Sequence, residues 1–194
     1  MELVQWLGGG LYLLNKVFLA FKERARYRGN FPRARYCQIA AWSVYLCGLP
    51  FWLFIFLSRH NWIAAAEEAS GLPAMLLGLV TALCANDEKT PSWLDCLALV
   101  CILLGLLYSL YDIGPMTAFT QWLEAGLALG FLAGTYQLAR QKTAGYLWFA
   151  LMNVSCGCLM WLQNYPWLAL QQALSLGFVA DAYRMARREP KKLS

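Results

Sequence analysis

Long runs of apolar residues, separated by short polar stretches, fill almost the whole chain. An α-helix needs about 20 apolar residues to cross the hydrocarbon core of a membrane. The runs are continuously apolar rather than alternating, which favours helices over the strands of a β-barrel. The pattern therefore predicts an all-α integral membrane protein with seven membrane-spanning helices, over residues 3–21, 37–57, 62–85, 94–111, 117–139, 145–163 and 166–183. Short connections at 58–61 and 164–165 imply that the helices they join are antiparallel.

An internal repeat suggests how these helices are arranged. Residues 5–13 read Gln-Trp-Leu-Gly-Gly-Gly-Leu-Tyr-Leu and residues 121–129 read Gln-Trp-Leu-Glu-Ala-Gly-Leu-Ala-Leu, with six of nine positions identical. Glu67-Glu68-Ala69 and Gln171-Gln172-Ala173 form a second match, each about five residues after a tryptophan that opens its span. One structural unit used twice explains both matches. Duplicated helical units commonly build transport pathways.

The repeat predicts a 3+1+3 arrangement of two parallel three-helix repeats. Three spans plus one linker helix are an even number, so both repeats enter the membrane from the same side. The predicted parts are repeat one (3–85), a linker helix (94–111), repeat two (117–184) and a basic tail (185–194). The spacing of Gly126, Gly130 and Gly134 predicts a face on the fifth span for close helix packing.

Charge distribution fixes the expected topology. Hydrophobic residues make up 60% of the chain and charged residues 14%, against roughly 25% charged in soluble domains. With seven spans, Arg59 is the only basic residue on one side of the membrane, and Lys16 lies inside a span. Basic residues remain cytoplasmic during insertion, so the N-terminus is expected outside and the C-terminus in the cytoplasm. The first span is expected to be a retained helix rather than a cleaved signal peptide. Fourteen basic residues lie on the other side: Lys22, Arg24, Arg26, Arg28, Arg33, Arg35, Lys89, Arg140, Lys142, Arg184, Arg187, Arg188, Lys191 and Lys192.

Reactive residues do not indicate an enzyme. The seven cysteines lie in or at the ends of apolar spans, their number is odd and none forms a C-x-x-C pair. With His60 as the single histidine, neither a metal site nor a disulfide framework is expected. A catalytic triad and a phosphate-binding glycine loop are not recognisable. We expect no cofactor and no enzymatic activity.

Asn153 is the leading candidate for contact with a solute. It lies in the middle of the sixth span and shares a helix face with Gly157, Met160 and Asn164. Its amide offers donors and an acceptor to a ligand, but it could equally form a helix–helix hydrogen bond that holds the bundle together. Trp161, two turns further along, could cap such a site and supply a stacking face.

Paired polar residues predict the outer mouth of this substrate-binding site. Glu67 and Glu68 in the third span and Gln171 and Gln172 in the seventh span occupy equivalent depths about one turn below the outer surface. Two adjacent carboxylates suggest a vestibule that attracts cations or holds a proton. The alternative is that the third span begins later, near Ala69, and both glutamates face water.

Three further charged residues within the spans are candidates for a functional role. Glu124 lies about seven residues into the fifth span, where repeat one has Gly8, and could serve as a protonation or coupling residue. Its alternative role is to pair with Lys16 or with an amide. Lys16 and Asp181 lie at similar depth in the first and seventh spans. They could pair as an inner gate, or each could extend towards the cytoplasmic surface.

The repeat order and one stretch near the C-terminus resemble a known superfamily. The stretch comprises Gly145-Tyr146-Leu147-Trp148, Asn153, residues 160–167 (Met-Trp-Leu-Gln-Asn-Tyr-Pro-Trp) and residues 184–188 (Arg-Met-Ala-Arg-Arg). It is similar to the SWEET and PQ-loop superfamily, closest to the PnuC-type vitamin transporters or the YgjV-type bacterial inner-membrane proteins. The resemblance implies facilitated movement of a sugar or a vitamin-like nucleoside across the inner membrane. The Pro-Gln dipeptide of PQ-loop proteins is absent, so amino-acid transport is not carried over.

The sequence leaves two main hypotheses open. The first is a transporter or facilitator of a small polar solute, and the second is a membrane-embedded scaffold or accessory subunit without a transport pathway. A lipid-associated enzyme component ranks last because no nucleophile or metal site is recognisable. Expected partners are the solute, membrane lipids and, as an open alternative, further copies of the chain. Nucleic acid is not expected, since topology accounts for the net charge of +5.

Overall fold

A computed structural model describes residues 2–58, 60–84 and 91–188. Over these ranges the chain forms seven α-helices and no β-strand, which confirms the all-α prediction. Predictions on Arg59, Lys89, Lys191 and Lys192, on the end of the third span at Ala85 and on the tail from residue 189 lie outside the described residues. The helices are α1 (Glu2–Tyr27), α2 (Phe31–Ser58), α3 (Trp62–Cys84), α4 (Ser92–Ile113), α5 (Phe119–Ala139), α6 (Gly145–Leu162) and α7 (Pro166–Ala186).

The first two helices are longer than the apolar runs that predict them. The apolar pattern predicts a loop over the arginine-rich stretch 22–36. In the structure, helix covers most of this stretch, and only residues 28–30 separate α1 from α2. Arginine and lysine are good helix formers, so charge ends an apolar run without ending the helix. The chain reverses at Gly29, whose positive φ of 74° is readily adopted by glycine.

Four of the helices are long and apolar enough to cross a membrane: α2, α3, α4 and α6. This fits a membrane location. The other three helices are more polar, since α1 carries Asn15 and Lys16, α5 carries Glu124, and α7 carries Gln171 and Gln172. Several of the residues that the sequence singles out for function lie in these three helices.

Six helices form a closed ring. Each of the following pairs packs together: α1 and α2, α2 and α3, α3 and α5, α5 and α6, α6 and α7, and α7 and α1. Helix α4 lies outside the ring against α3 and α5, with Leu103, Leu104 and Leu107 exposed. An apolar outer face of this kind suits contact with lipid.

Glycine allows α5 and α6 to pack closely. A Cβ atom on Gly130 would lie 2.5 Å from the backbone nitrogen of Met152 and 2.6 Å from the carbonyl oxygen of Trp148. Gly126 and Gly134 face α6 in the same way, against Ser155 and Phe149. The predicted glycine face is therefore the α5–α6 contact.

Polar contacts show that the basic residues share one end of the ring. Arg24 near the end of α1 pairs with Asp181 of α7 at 2.8 Å. Arg35 at the start of α2 donates hydrogen bonds to carbonyl groups at the end of α3. Arg140 after α5 pairs with Asp95 of α4 at 3.2 Å. We call this the basic end of the ring, and the opposite end the distal end.

Candidate functional site

The inward face of α1 is polar along its length. Tyr12, Lys16, Leu19 and Glu23 follow one another at spacings of three or four residues, which places them on one helix face. Asn15 lies beside Lys16, and Asn15, Lys16 and Glu23 retain 0%, 2% and 3% of their accessible surface. Buried polar residues within a membrane are costly, so each must find a partner or serve a ligand.

Lys16 is a buried cation in the middle of the ring. Its ammonium nitrogen lies 3.9 Å from the ring centre of Phe149 in α6 and 4.5 Å from that of Tyr45 in α2. It donates a hydrogen bond of 2.9 Å to the side-chain oxygen of Asn15. The amide nitrogen of Asn15 in turn donates to the carbonyl of Ala41 in α2 at 2.9 Å. Aromatic faces and one amide oxygen thus hold a charge that would otherwise be expensive to bury.

The ammonium group still has capacity for a ligand. A lysine ammonium carries three N–H donors, and one of them is hydrogen-bonded to an acceptor within the described ranges. No carboxylate there lies within ion-pair distance of Lys16. The other donors face aromatic rings, an interaction that a solute oxygen could replace.

Glu68 places an opposite charge near Lys16. It shares the inward face of α3 with the buried residues Ala65, Gly71 and Met75 and accepts a hydrogen bond of 2.7 Å from the hydroxyl of Tyr12. It forms no ion pair with Lys16 within the described ranges. The Glu68 carboxylate is bonded to Tyr12, one turn before Lys16 in α1, whereas Lys16 donates to Asn15.

Asn153 lies one turn after Phe149, whose ring contacts Lys16, and it has a free acceptor. It is 1% exposed, and its amide nitrogen donates to the carbonyl of Phe149 in its own helix at 2.6 Å. The side-chain oxygen has no hydrogen-bond partner in the described part of the chain. The alternative role of Asn153, as a hydrogen bond between helices, is therefore not what the structure shows. An unpaired buried acceptor calls for a water molecule or a ligand.

The remaining residues predicted at the outer mouth differ in their contacts. Glu67 and Gln172 are half-buried, and Gln172 lies against Gly157 of α6. Gln171 is also half-buried and donates to the carbonyl of Gly9 at 2.7 Å, which links α7 to α1 near the distal end. Gln171 therefore contributes to helix contact at the predicted mouth.

Two predicted residues lie away from the interior. Trp161 is 70% exposed, so the expectation that it caps a pocket inside the ring is wrong for this conformation. Trp161 lies about 80° around α6 from Asn153, because successive helical residues advance by about 100°, and in the structure this direction is outside the ring. Glu124 is exposed as well and is not bound to Lys16, whose hydrogen bond goes to Asn15.

Lys16 and Asp181 do not form the predicted gate. Asp181 pairs with Arg24, two turns further along α1 than Lys16. This bond raises the pKa of the Arg24 guanidinium above its ordinary value, because the carboxylate stabilises the charged form. Lys16 also does not extend towards the surface, since its ammonium group lies between two aromatic rings.

A second buried group closes the basic end and was not predicted. The Glu23 carboxylate accepts a hydrogen bond of 2.8 Å from Tyr146 of α6 and pairs with Lys22 at 3.0 Å. It ties α1 to α6, just as the pair of Arg24 and Asp181 ties α1 to α7. The sequence signal was available, because Glu23 follows Lys16 by seven residues on the same helix face.

No protein-family model, curated protein or solved structure matches this chain. The resemblance to the SWEET and PQ-loop superfamily therefore stays a prediction based on the residues quoted for it. The functional argument rests on the interior of the ring. There, Lys16 can donate, Asn153 can accept, and Glu68 supplies a carboxylate.

Proposed function

We propose that this protein is a membrane transporter or facilitator of a small polar solute, which passes between α1–α3 and α5–α7. The observation that carries this proposal is a set of polar residues inside the helical ring, the buried Lys16 and Asn153 and the half-buried Glu68. Ionisable residues within a membrane are rare and commonly mark the path of a substrate or ion. Replacing buried charged groups by apolar residues of similar volume is often neutral or stabilising, so a purely structural core has no need of them.

The order of helices in the ring supports the two-repeat arrangement. A twofold rotation that superimposes α1, α2 and α3 on α5, α6 and α7 would place the α3–α5 contact on the α7–α1 contact. Both contacts are present. Such a rotation corresponds to an axis along the membrane normal, as expected for parallel repeats. We propose that all seven helices span the bacterial inner membrane, with the basic end in the cytoplasm and the N-terminus outside.

The chemistry of the interior favours a solute rich in hydroxyl or amide groups. The oxygen of Asn153 can accept from a hydroxyl group, the ammonium of Lys16 can donate to an oxygen, and the ring of Tyr45 offers an apolar face. A sugar or a vitamin-like nucleoside, the solutes that the family resemblance implies, carries all three kinds of group. Hydrogen bonds to uncharged solute groups avoid the cost of burying a further charge.

Packing between helices supports a second candidate function, a membrane scaffold. Gly130 brings α5 against the backbone of α6, and the basic end is tied by Glu23 with Tyr146 and by Arg24 with Asp181. A dry, tightly packed ring would need no pathway. The two candidates differ in whether a solute reaches Lys16 and Asn153.

A binding screen followed by an uptake assay distinguishes these candidates. The purified full chain would be tested by thermal unfolding against vitamins, nucleosides and sugars, since a ligand of the folded state raises the melting temperature. Each stabilising compound would then be tested for uptake into proteoliposomes. A compound that stabilises the protein and enters the vesicles supports transport. If no compound does either, the scaffold is the better description.

The same assay tests the predicted coupling role of Glu124. Uptake at several pH values would be compared between the natural chain and Glu124→Gln. A coupling carboxylate predicts that the pH dependence disappears in the variant. An unchanged profile would exclude Glu124 and leave Glu68, which faces the interior, as the carboxylate to test next.

A further inference from the structure

The basic end carries a groove between α1 and α7. Two adjoining cavities there have volumes of about 50 Å³ and about 250 Å³. Tyr27 and Met185 line both cavities, so we treat them as one feature, the α1–α7 groove. The other lining residues are Glu23, Arg24, Arg26, Arg28, Ala186 and Arg188.

Two of the charges in the α1–α7 groove are already committed to protein partners. Arg24 is paired with Asp181 at 2.8 Å. The carboxylate of Glu23 is held by Lys22 at 3.0 Å and by the hydroxyl of Tyr146 at 2.8 Å. These contacts fix the walls of the groove and reduce the repulsion that Glu23 would exert on an anion.

Three guanidinium groups in the groove have no such partner. Arg26, Arg28 and Arg188 are exposed, and within the described ranges none of them forms an ion pair. The guanidinium of Arg188 lies over the ring of Tyr27 at 6.0 Å from its centre. Arginine forks bind phosphate oxygens through paired, charge-assisted hydrogen bonds.

The position of the groove suggests that its ligand is a lipid. Tyr27 and Met185 provide an apolar floor, and the groove lies where the apolar parts of α1 and α7 give way to arginines. This is the level of the phospholipid head groups for a helix that spans the membrane. Basic pockets between helices on the cytoplasmic side are suited to anionic head groups. A soluble anion such as phosphate has no apolar part that could contact Tyr27 and Met185.

We propose that the α1–α7 groove binds an anionic phospholipid, with its phosphate on Arg26, Arg28 and Arg188 and its glycerol and upper acyl region against Tyr27 and Met185. Because α1 and α7 belong to opposite halves of the ring, the bound lipid stabilises their contact. The proposal requires a membrane location and does not depend on transport, so the solute screen and the lipid test can fail independently.

The test compares lipids that differ only in their head groups. The full chain, purified in detergent, would be titrated with dioleoylphosphatidylglycerol, with dioleoylphosphatidylcholine and with inorganic phosphate. Thermal unfolding and native mass spectrometry would be the readouts. We expect phosphatidylglycerol to raise the melting temperature and remain bound, while phosphatidylcholine and inorganic phosphate at equal concentration have much smaller effects.

Matched variants locate the binding. Removing two phosphate contacts with Arg28→Gln and Arg188→Gln together should weaken phosphatidylglycerol binding at least about tenfold, since about 1.4 kcal/mol corresponds to a factor of ten. The control combines Arg33→Gln and Lys142→Gln, which removes the same charge from exposed positions at the same end. It should bind phosphatidylglycerol as the natural chain does.

Several results would overturn the proposal. Equal stabilisation by phosphatidylcholine would indicate an unspecific acyl effect, and an equal effect of inorganic phosphate would indicate a site for a soluble anion. Equal weakening in the control variant would indicate diffuse surface charge. If the double variant fails to fold, the single charge reversal Arg28→Glu, at an exposed position after α1, replaces it. Unchanged phosphatidylglycerol binding in that folded variant would also refute the site.

Discussion

The ammonium nitrogen of Lys16 lies 3.9 Å from the centre of the Phe149 ring, so a buried charge of α1 rests on an aromatic face of α6. The two helices do not pack directly along their backbones, and this contact reaches across the ring. Asn15 and Tyr45 complete the surroundings of the ammonium group. The ammonium group is thereby positioned in the interior, and no carboxylate of the described residues pairs with it.

Replacing Lys16 by Met should separate function from stability. Removing a buried charge and filling its volume with an apolar chain is often neutral or stabilising, by about 1–4 kcal/mol. We therefore expect Lys16→Met to fold with an unchanged or higher melting temperature and to lose most solute uptake. The control is Lys142→Met at an exposed position, which should change neither property. Unfolding of Lys16→Met, or full uptake by it, would show that Lys16 serves the scaffold.

The hydrogen bond from Tyr12 to Glu68 should contribute measurably to stability. Tyr12→Phe leaves a half-buried carboxylate without its donor, and hydrogen bonds to charged groups are worth about 1.5–3 kcal/mol. The free energy of unfolding should fall by about that amount, and much less when Glu68→Leu, which removes the acceptor, is present as well. Tyr36→Phe, at a residue that is 74% exposed, is the control. Equal losses in the two single tyrosine variants would argue against a specific bond.

We expect Asn153→Leu to retain the fold and to lose solute binding. Its amide nitrogen is bonded within its own helix at 2.6 Å and its oxygen has no partner in the described residues, so no hydrogen bond between helices is lost. We expect normal expression, an unchanged melting temperature and loss of stabilisation by any solute found in the screen. Leu151→Asn, which places an amide at an exposed position of the same helix, is the reciprocal control. A marked drop in the melting temperature of Asn153→Leu would assign the residue to the scaffold.

The topology can be tested independently of any solute. We expect cysteines introduced at Arg28 and at Ser58 to be labelled from opposite sides of the membrane, with Arg28 accessible from the cytoplasm. The native cysteines, which are free in the described residues, would first be replaced by serine or alanine. Labelling of both positions from one side would contradict the proposed orientation.

The helices could be predicted from the sequence, whereas most of the site could not. The length of an apolar run is enough to predict a membrane-spanning helix, as it is for α4. Periodicity along α1 places Tyr12, Lys16 and Glu23 on one face, but it does not say what lies opposite. The partners Phe149 and Tyr45 come from distant helices, and nothing in their local sequence marks them as neighbours of a cation.

Errors in the predicted site have a common physical cause. Similar depth in the membrane suggests that Lys16 pairs with Asp181, but depth does not fix the direction of a side chain around the helix axis. Asp181 meets Arg24 because both face the α1–α7 contact near the basic end. Trp161 is two turns and about 80° around α6 from Asn153, an angle that is compatible with capping a pocket. In the structure it lies outside the ring, where it is 70% exposed.

Gly130 gives the sharpest test of the packing between α5 and α6. A Cβ atom there would lie 2.5 Å from the nitrogen of Met152 and 2.6 Å from the oxygen of Trp148, and backbone atoms cannot move aside as a flexible side chain can. Gly130→Ala should therefore separate the helices and lower the free energy of unfolding by about 1–3 kcal/mol. Gly177→Ala is the matched control, because no atom lies within 4 Å of its added methyl group. In that exposed helical position alanine should be neutral or stabilising by up to about 1 kcal/mol. Thermal unfolding of both variants in the same detergent separates the close α5–α6 contact from the general effect of replacing glycine. Equal stability of the two variants would mean that α5 and α6 do not pack through Gly130.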